Sequence, residues 1–126
     1  MPENAQDNTV LVVEDDEYIV SILKILLERE GYNIITAADG QVAYDQINEL
    51  PPPKLVLLDI MLPYIDGYDL MKVIRNKTSW EKVPIIVLSS KQLENDIVQA
   101  LEAGVNDYIV KPFQPMELLA RIKRYL

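Results

Sequence analysis

Five short apolar runs alternate along this chain with five stretches of helical periodicity, and this alternation constrains the fold more than any other feature. The runs are Val10–Glu14, Tyr32–Thr36, Leu55–Asp59, Pro84–Ser89 and Asp107–Lys111. The first, third and fourth runs are almost continuous in Val, Leu and Ile, which predicts strands that are covered on both faces, as in a parallel sheet. The second and fifth runs are more polar, as expected of edge strands.

Each run is followed by a segment whose apolar residues recur at helical spacing, so the chain is a series of βα units. Such units form parallel strands joined by right-handed crossovers, with helices on both faces of the sheet. The sequence therefore predicts an α/β fold, a (βα)5 three-layer sandwich around a parallel five-stranded sheet. Gly31 is predicted to end the first helix, Pro115 to open the last one, and Leu101 to lie on the apolar face of the fourth.

Composition narrows the class of protein further. The 126 residues are 49% apolar and 25% charged, which is typical of one globular domain; residues 1–8 are predicted to be a flexible tail and residues 9–126 the domain. The chain has no cysteine and no histidine, which excludes disulfides, thiolate nucleophiles, catalytic triads and imidazole or thiolate metal sites. A net charge of −8 argues against direct binding to nucleic acid or to an anionic membrane. The polar N-terminus and the short apolar runs predict a cytoplasmic protein.

Charged and hydroxylic residues stand where the predicted strands end. Glu14 and Asp15 close the first strand, Asp59 the third, Ser89 the fourth and Lys111 the fifth. The carboxyl ends of parallel strands share one edge of the sheet, which is where ligands bind in open α/β folds. Three carboxylates so close together repel one another unless a cation neutralises them, and oxygen ligands alone favour Mg²⁺. The third carboxylate could then accept a phosphoryl group whose oxygens the lysine and the serine hold.

Each of these residues also has a simpler interpretation. Acidic residues are favoured at a helix N-terminus by capping and by the helix dipole, and Asp16 is predicted to be such a cap rather than a metal ligand. A shift of one residue would exchange Ser89 and Ser90. Lys111 alone would be a solvated lysine before a proline turn, and Tyr108 alone a half-buried aromatic residue on an edge strand.

Four segments, in this order and spacing, resemble the response-regulator receiver domains of two-component signalling. They are VLVVEDDE, LVLLDIMLPYIDGYDL, PIIVLSS and GVNDYIVKPF, and the resemblance covers residues 9–126. The final segment, KPFQPMELLARIKRYL, is similar to the receivers of winged-helix transcription-factor regulators. The resemblance implies a flavodoxin-like sheet of strand order 2-1-3-4-5.

The resemblance also implies a phosphorylation site. Asp59 aligns with the residue that accepts a phosphoryl group from the phosphohistidine of a sensor histidine kinase or a phosphotransfer protein. Mg²⁺, for which Mn²⁺ could substitute, would be bound by Asp15 directly, by Glu14 largely through water, by Asp59 and by the backbone carbonyl of Met61. The domain would catalyse only its own phosphorylation and dephosphorylation, so it would be a signalling switch and not an enzyme acting on other molecules.

The remaining implied roles concern the response to phosphorylation. Ser89 and Lys111 would hold the phosphoryl oxygens, and the Lys111–Pro112 peptide bond is expected to be cis. Ser89 and Tyr108 would move on phosphorylation and change the surface of helix 4, strand 5 and helix 5, thereby controlling a downstream partner or a separate output domain. Met61 and Lys91 match positions beside the reacting atoms and are expected to tune the lifetime of the phosphoryl group.

A homodimer through this same surface is a further expectation. The candidate residues for salt bridges between subunits are Glu102, Asp107, Arg121 and Lys123. Ile97 stands where the family has a base that faces Glu117, and this departure weakens the expectation.

Three other functions can be compared with the receiver hypothesis. A flavodoxin that binds FMN needs a Ser-, Thr- and Gly-rich loop after the first strand, and this chain has EDDE there. A haloacid-dehalogenase-like phosphohydrolase needs a second Asp two residues after the nucleophile, where this chain has Met61. A pseudo-receiver used only for docking would not need the complete set of acidic, hydroxyl and lysine residues.

Overall fold

The computed structural model describes residues 8–90 and 94–126, so most of the predicted tail (residues 1–7) and Lys91 lie outside the described residues. Strands and helices alternate along the described chain in the predicted order. The elements are β1 (Thr9–Val13), α1 (Glu17–Arg29), β2 (Asn33–Ala37), α2 (Gly40–Glu49), β3 (Leu55–Asp59), α3 (Gly67–Asn76), β4 (Ile85–Ser89), α4 (Glu94–Glu102), β5 (Asp107–Val110) and α5 (Pro115–Lys123).

The five strands form one parallel sheet of order β2-β1-β3-β4-β5, which confirms the predicted fold class, and β2 and β5 are its edges. The ends of β1, β2, β4 and β5 differ from the predicted runs by at most one residue, and β3 has the predicted bounds. β1 ends at Val13 and β5 at Val110, so Glu14 and Lys111 lie just beyond the ladder. The backbone N–H groups of both residues still donate to the neighbouring strands, from Glu14 to the Ala37 carbonyl at 3.0 Å and from Lys111 to the Ser89 carbonyl at 2.8 Å, so each strand loses only its last residue.

The sheet is covered by α2, α3 and α4 on one face and by α1 and α5 on the other. Strands β1, β3 and β4 are buried along their whole length because both faces are covered, as their continuous apolar runs predicted. On α4, Ala100 is buried and Ile97 packs against the core, but the prediction for Leu101 is wrong, since this residue is 47% exposed. Ala100 is the buried residue of α4, so this helix packs on the sheet through a narrower stripe than its apolar pattern predicts.

The helices begin and end where local chemistry directs them. Asp16 is the N-cap of α1, as predicted, and its carboxylate accepts hydrogen bonds from the backbone N–H groups of Tyr18 and Ile19. Gly31 follows the end of α1 with a φ of 88°, and Pro115 occupies the first turn of α5. Within the described ranges, every helix is too short or too polar to cross a membrane.

Candidate functional site

The residues singled out at the strand ends converge at one edge of the sheet. β1 lies between β2 and β3, so the direction of strand order reverses at β1, and ligands bind in open α/β sheets beside such a point. Glu14 directly follows β1, Asp59 is the last residue of β3, and Lys111 directly follows β5. Glu14, Asp15 and Asp59 each offer a carboxylate oxygen, and these oxygens lie within 4.8 Å of one another.

Lys111 joins two of these carboxylates. Its Nζ lies 2.8 Å from Glu14 Oε2 and 3.3 Å from Asp59 Oδ2, and its side chain is only 15% exposed. Burial lowers the pKa of Lys111, but the hydrogen bond to Glu14 and the negative charges of Asp59 and Glu14 outweigh it, so the net shift is upward. Lys111 is therefore a fixed cation at the centre of the site.

Glu14 is the most deeply buried acid of the cluster, with a side chain that is 1% exposed. Its Oε1 accepts a hydrogen bond from the backbone N–H of Asp16 at 3.2 Å. Burial raises the pKa of Glu14 from 4.5 to about 7; the charge of Asp59 adds to this rise, while Lys111 opposes it. Lys111 thus offsets only part of the effect of burial on Glu14, and a second cation in the cluster would favour the ionised form of Glu14.

Asp59 and Asp15 occupy different environments within the cluster. Asp59 is 7% exposed, and its Oδ1 accepts a hydrogen bond from the backbone N–H of Met61 at 3.1 Å. Asp15 is exposed and lines a cleft of 500 Å³ together with Met61 and Tyr68. The Asp59 carboxylate is therefore held by the loop that follows it, whereas the Asp15 carboxylate faces the cleft through which a ligand would enter.

These residues fit a hard divalent cation. All the donors are oxygens, which suits Mg²⁺, and Lys111 is the cation that contacts two of the three carboxylates. Asp15 at the mouth of the cleft leaves room for water molecules, which Mg²⁺ usually retains. The donor set and its charge thus agree with the metal that the sequence predicted.

The structure brings Ser89 close to this site and buries Tyr108. Ser89, the last residue of β4, is fully buried and paired in register with Val110, next to Lys111. Ser90 is exposed and lines a different cleft. Tyr108 is 9% exposed and packs in the core layer under α2, α3 and α4. The Lys111–Pro112 peptide bond is cis.

The candidate dimer residues form ion pairs within the chain. Arg121 Nη1 lies 3.3 Å from Asp107 Oδ1, and Arg121 Nη2 lies 3.3 Å from Glu117 Oε1, one helical turn away. Lys123 pairs with Glu30, the residue that follows the end of α1. Glu102 is exposed near the end of α4. These pairs lie on the surface, where an ion pair contributes little to stability.

Sequence reasoning did not single out the residues that hold the loop after Asp59. The backbone N–H groups of Gly40 and Gly67 donate hydrogen bonds to the carbonyls of Pro63 and Ile60. Gly67 follows an Asp at a predicted turn, which is the pattern of a helix start, but the sequence gives no sign that Gly40 would touch this loop. The contact between Gly40 and Pro63 joins residues that are 23 positions apart in the chain. It forms because α2 and α3 pack side by side.

Comparison with known proteins identifies the class to which this fold and site belong. Residues 10–123 match the response regulator receiver domain family, and the chain belongs to that family. It is 44% identical over 117 residues to the alkaline phosphatase synthesis transcriptional regulatory protein PhoP of Bacillus subtilis, covering 93% of this chain and 48% of PhoP. It is 42% identical over 118 residues to the response regulator GtcR of Aneurinibacillus migulanus, covering 94% of this chain and 47% of GtcR.

These relatives confirm the predicted resemblance to the receivers of transcription factors, and the chain spans about half of their length. A third relative, the DNA-binding response regulator MtrA of Mycobacterium tuberculosis, is 43% identical over 117 residues, covering 93% of this chain and 50% of MtrA. The domain is therefore a response-regulator receiver, a switch module of two-component signalling.

Solved structures agree with this assignment. The receiver domain of the sensor histidine kinase PA1611 of Pseudomonas aeruginosa, solved with a magnesium ion in its active-site cleft, superposes with a TM-score of 0.83 at 33% identity, covering 94% of this chain and 97% of that one. The beryllofluoride-activated receiver domain of RstA of Klebsiella pneumoniae has a TM-score of 0.84 at 34% identity, with coverage of 94% and 97%. The chemotaxis protein CheY4 of Vibrio cholerae gives 0.85 at 27% identity, with coverage of 95% and 99%.

Proposed function

We propose that this domain accepts a phosphoryl group on Asp59, from the phosphohistidine of a sensor histidine kinase or a phosphotransfer protein, in a reaction that needs Mg²⁺. The observation that carries the proposal is the constellation at the strand ends. Asp59 Oδ2 lies 3.3 Å from the Lys111 ammonium. Glu14 and Asp15 each place a carboxylate oxygen within 4.8 Å of an Asp59 oxygen. This set supplies a nucleophile, a fixed cation and oxygen ligands for a metal ion in one place.

Asp59 is better placed to react than the other two acids. Glu14 is the less accessible of the two inner acids, with a side chain 1% exposed against 9% for Asp59, and it is bound more tightly by Lys111, at 2.8 Å against 3.3 Å. In Asp59 the Met61 N–H fixes Oδ1, and only the longer bond to Lys111 holds Oδ2. An Asp59 oxygen would attack the phosphorus atom, the P–N bond to the donor histidine would break, and the electron pair of that bond would leave with the imidazole nitrogen.

Lys111 and Ser89 would hold the transferred group. The ammonium of Lys111 can exchange its bond to Asp59 Oδ2 for a phosphoryl oxygen while its bond to Glu14 keeps it in position. Ser89, at the end of β4, would donate its hydroxyl proton to a second phosphoryl oxygen. The same arrangement would serve hydrolysis, in which a water oxygen attacks the phosphorus atom, the bond between phosphorus and the Asp59 oxygen breaks, and inorganic phosphate leaves as the carboxylate is regenerated. These two self-catalysed steps would be the whole chemistry of the domain.

Asp15, Asp59, Glu14 and the backbone carbonyl of Met61 would hold the Mg²⁺ ion, and Mn²⁺ has the same preference for oxygen ligands. When bound, such an ion supplies positive charge that offsets the repulsion between the carboxylates and the incoming phosphoryl oxygens. The ionised form of Glu14, which burial disfavours, becomes the stable form once that charge is present.

Labelling by a small phosphodonor tests the proposal. With Mg²⁺ and acetyl phosphate, intact-protein mass spectrometry should detect one added phosphoryl group, and EDTA should prevent its addition. Asp59→Asn should abolish the label. Asp16→Asn is the matched control, because it removes the same charge from a neighbouring residue and asparagine also caps helices well. Labelling of Asp59→Asn at the wild-type rate would refute the assignment.

An apolar cleft beside the site offers a docking place for the donor protein. This 520 Å³ cleft is lined by α1 and by the segment between β5 and α5, including Tyr18, Ile22, Phe113 and the stem of Lys111. Tyr18 is 74% exposed, as expected of a side chain that a partner covers. Tyr18→Ala should slow phosphotransfer from a phosphorylated kinase and leave labelling by acetyl phosphate unchanged. Tyr44→Ala, on the opposite face of the sheet, is the control.

The response to phosphorylation would be read on the surface of α4, β5 and α5, by a downstream partner, an output domain or a second copy of the chain. Ser89 and Tyr108, on adjacent strands, would carry the change from the site to this surface. In a dimer, the ion pair that Arg121 forms with Asp107 of its own chain could be replaced by pairs between subunits. This replacement would cost little free energy, because ion pairs near the surface contribute only about 0–1 kcal/mol to stability. Sedimentation with and without beryllofluoride would test whether a dimer forms, and Arg121→Glu should prevent it.

A further inference from the structure

The loop that follows Asp59 is held in an unusual backbone conformation. Tyr64, at its tip, has a φ of 72°, in the left-handed region that residues with a side chain rarely adopt. The backbone N–H of Ile65 donates to the carbonyl of Pro63 at 3.0 Å, so Tyr64 is the centre of a three-residue turn with positive φ, which is rare and strained. The Tyr64 side chain is 85% exposed, so its own packing does not stabilise this turn.

A contact from α2 holds the turn. The Pro63 carbonyl also accepts a hydrogen bond from the backbone N–H of Gly40 at 3.1 Å. Gly40 is the first residue of α2, and N–H groups in the first turn of a helix have no partner within the helix. The loop carbonyl satisfies this donor, and the positive end of the helix dipole favours the contact.

Only glycine fits at position 40. A Cβ atom there would lie 1.9 Å from the Ile65 carbonyl oxygen and 2.6 Å from its carbonyl carbon. These are backbone atoms, so the clash cannot be relieved by rotating a side chain. Gly40 is buried, and α2, which it begins, packs against α3, which begins at the end of the loop.

The other end of the same loop touches the phosphoacceptor. Met61 N–H donates to Asp59 Oδ1 at 3.1 Å, and Gly67 N–H closes the loop by donating to the Ile60 carbonyl at 2.8 Å. The backbone of residues 61–63 therefore joins the Pro63 carbonyl, which Gly40 contacts, to the Met61 N–H, which contacts Asp59. The strain at Tyr64 is retained at the edge of the site, where such strain is commonly found.

We propose that Gly40 is a positioning residue for the phosphorylation site: by fixing Pro63 and Ile65 it holds the loop so that Met61 can orient Asp59 and present its carbonyl to Mg²⁺. This inference rests on the proposed function. Gly40 touches no reacting atom and acts through the loop alone.

The test compares Gly40→Ala with Gly31→Ala in the full chain. Gly31 has a φ of 88°, and a Cβ atom added there would meet nothing within 4 Å. It is the matched control, since its substitution strains the backbone at the far end of the sheet. Mg²⁺ affinity, measured by NMR titration without a phosphodonor, should weaken roughly 10- to 100-fold in Gly40→Ala, as for groups that orient metal ligands. Gly31→Ala should lower the melting temperature but leave Mg²⁺ affinity within about two-fold of wild type.

Two outcomes separate the failure of this inference from that of the proposed function. Wild-type protein that binds no Mg²⁺ and takes up no phosphoryl group would overturn the proposed function. A Gly40→Ala variant that loses stability but binds Mg²⁺ as tightly as Gly31→Ala would overturn only the role of Gly40.

If Gly40→Ala does not fold, the wild-type protein provides the same test. Coupling between two sites is reciprocal, so a ligand at Asp59 must stabilise the Gly40–Pro63 contact if that contact stabilises the site. Mg²⁺ with beryllofluoride should slow hydrogen exchange of the Gly40 amide at least about five-fold. The Gly31 amide, which donates to the Glu28 carbonyl, should change less. Equal effects on the two amides would refute the proposal.

Discussion

Replacing Glu14 by glutamine should make the metal-free domain more stable at alkaline pH. The side chain is 1% exposed, and burial raises the pKa of Glu14 from 4.5 to about 7. Between these two pH values the folded protein binds more protons at Glu14 than the unfolded chain does. The free energy of unfolding therefore falls as pH rises through this window, and Glu14 has no further effect above it. Glutamine has nearly the same shape and does not titrate.

The size of the effect follows from the shift in the pKa of Glu14. A rise from 4.5 to about 7 costs about 3 kcal/mol of stability once Glu14 is ionised, at about 1.4 kcal/mol per pH unit. Glu14→Gln should thus have nearly wild-type stability at pH 5 and should be about 3 kcal/mol more stable at pH 8. In a chain of 126 residues this corresponds to a melting temperature about 10 °C higher.

Urea denaturation in EDTA, followed by circular dichroism at pH 5 and pH 8, measures this difference. Glu17→Gln is the control, because Glu17 is exposed in the first turn of α1, and its substitution should have the same small effect at both pH values. If the stability difference between Glu14→Gln and wild type does not change with pH, burial of the Glu14 carboxylate does not govern its titration. Saturating Mg²⁺ should reverse the order at pH 8, since it binds the wild-type cluster more tightly.

Three further substitutions test what holds the domain together. Trp80→Ala should lower the free energy of unfolding, measured with urea, by about 3–5 kcal/mol, because Trp80 is 1% exposed and its truncation leaves a cavity in the core. A loss below about 1 kcal/mol would contradict its place in the core. Arg75→Lys should lower the free energy of unfolding by about 2 kcal/mol. The Arg75 guanidinium donates hydrogen bonds to the carbonyls of Glu81, Val83 and Gly104, and a lysine ammonium cannot make all of them. Wild-type stability of the variant would show that these hydrogen bonds make no net contribution. Asp16→Ala should lower the free energy of unfolding by about 1 kcal/mol, because it removes the N-cap of α1, and it should leave Mg²⁺ affinity unchanged. Weaker Mg²⁺ binding would show that Asp16 is part of the metal site.

Much of the site could be predicted from local patterns. A charged residue directly after an apolar run indicates the end of a strand. Because parallel strands present their carboxyl ends at one edge of the sheet, the sequence alone predicts that Glu14, Asp59 and Lys111 lie close together. The helix cap at Asp16 was predicted for the same kind of reason, since capping depends on residues that are close in sequence. The exposure of Leu101 was not predicted, because the width of a helix's buried stripe depends on what packs against it.

The sequence by itself determined the (βα)5 class, the edge of the sheet that carries the site and the residues at its centre, because these follow from periodicity and from where each strand ends. Only the tertiary structure decided that Glu14 is buried enough to resist ionisation and that Lys111 bridges it to Asp59. Only the tertiary structure also brought Gly40 against the loop beside Asp59. These features depend on the distances between elements far apart in the chain, and such distances are set by the packing of helices on the sheet.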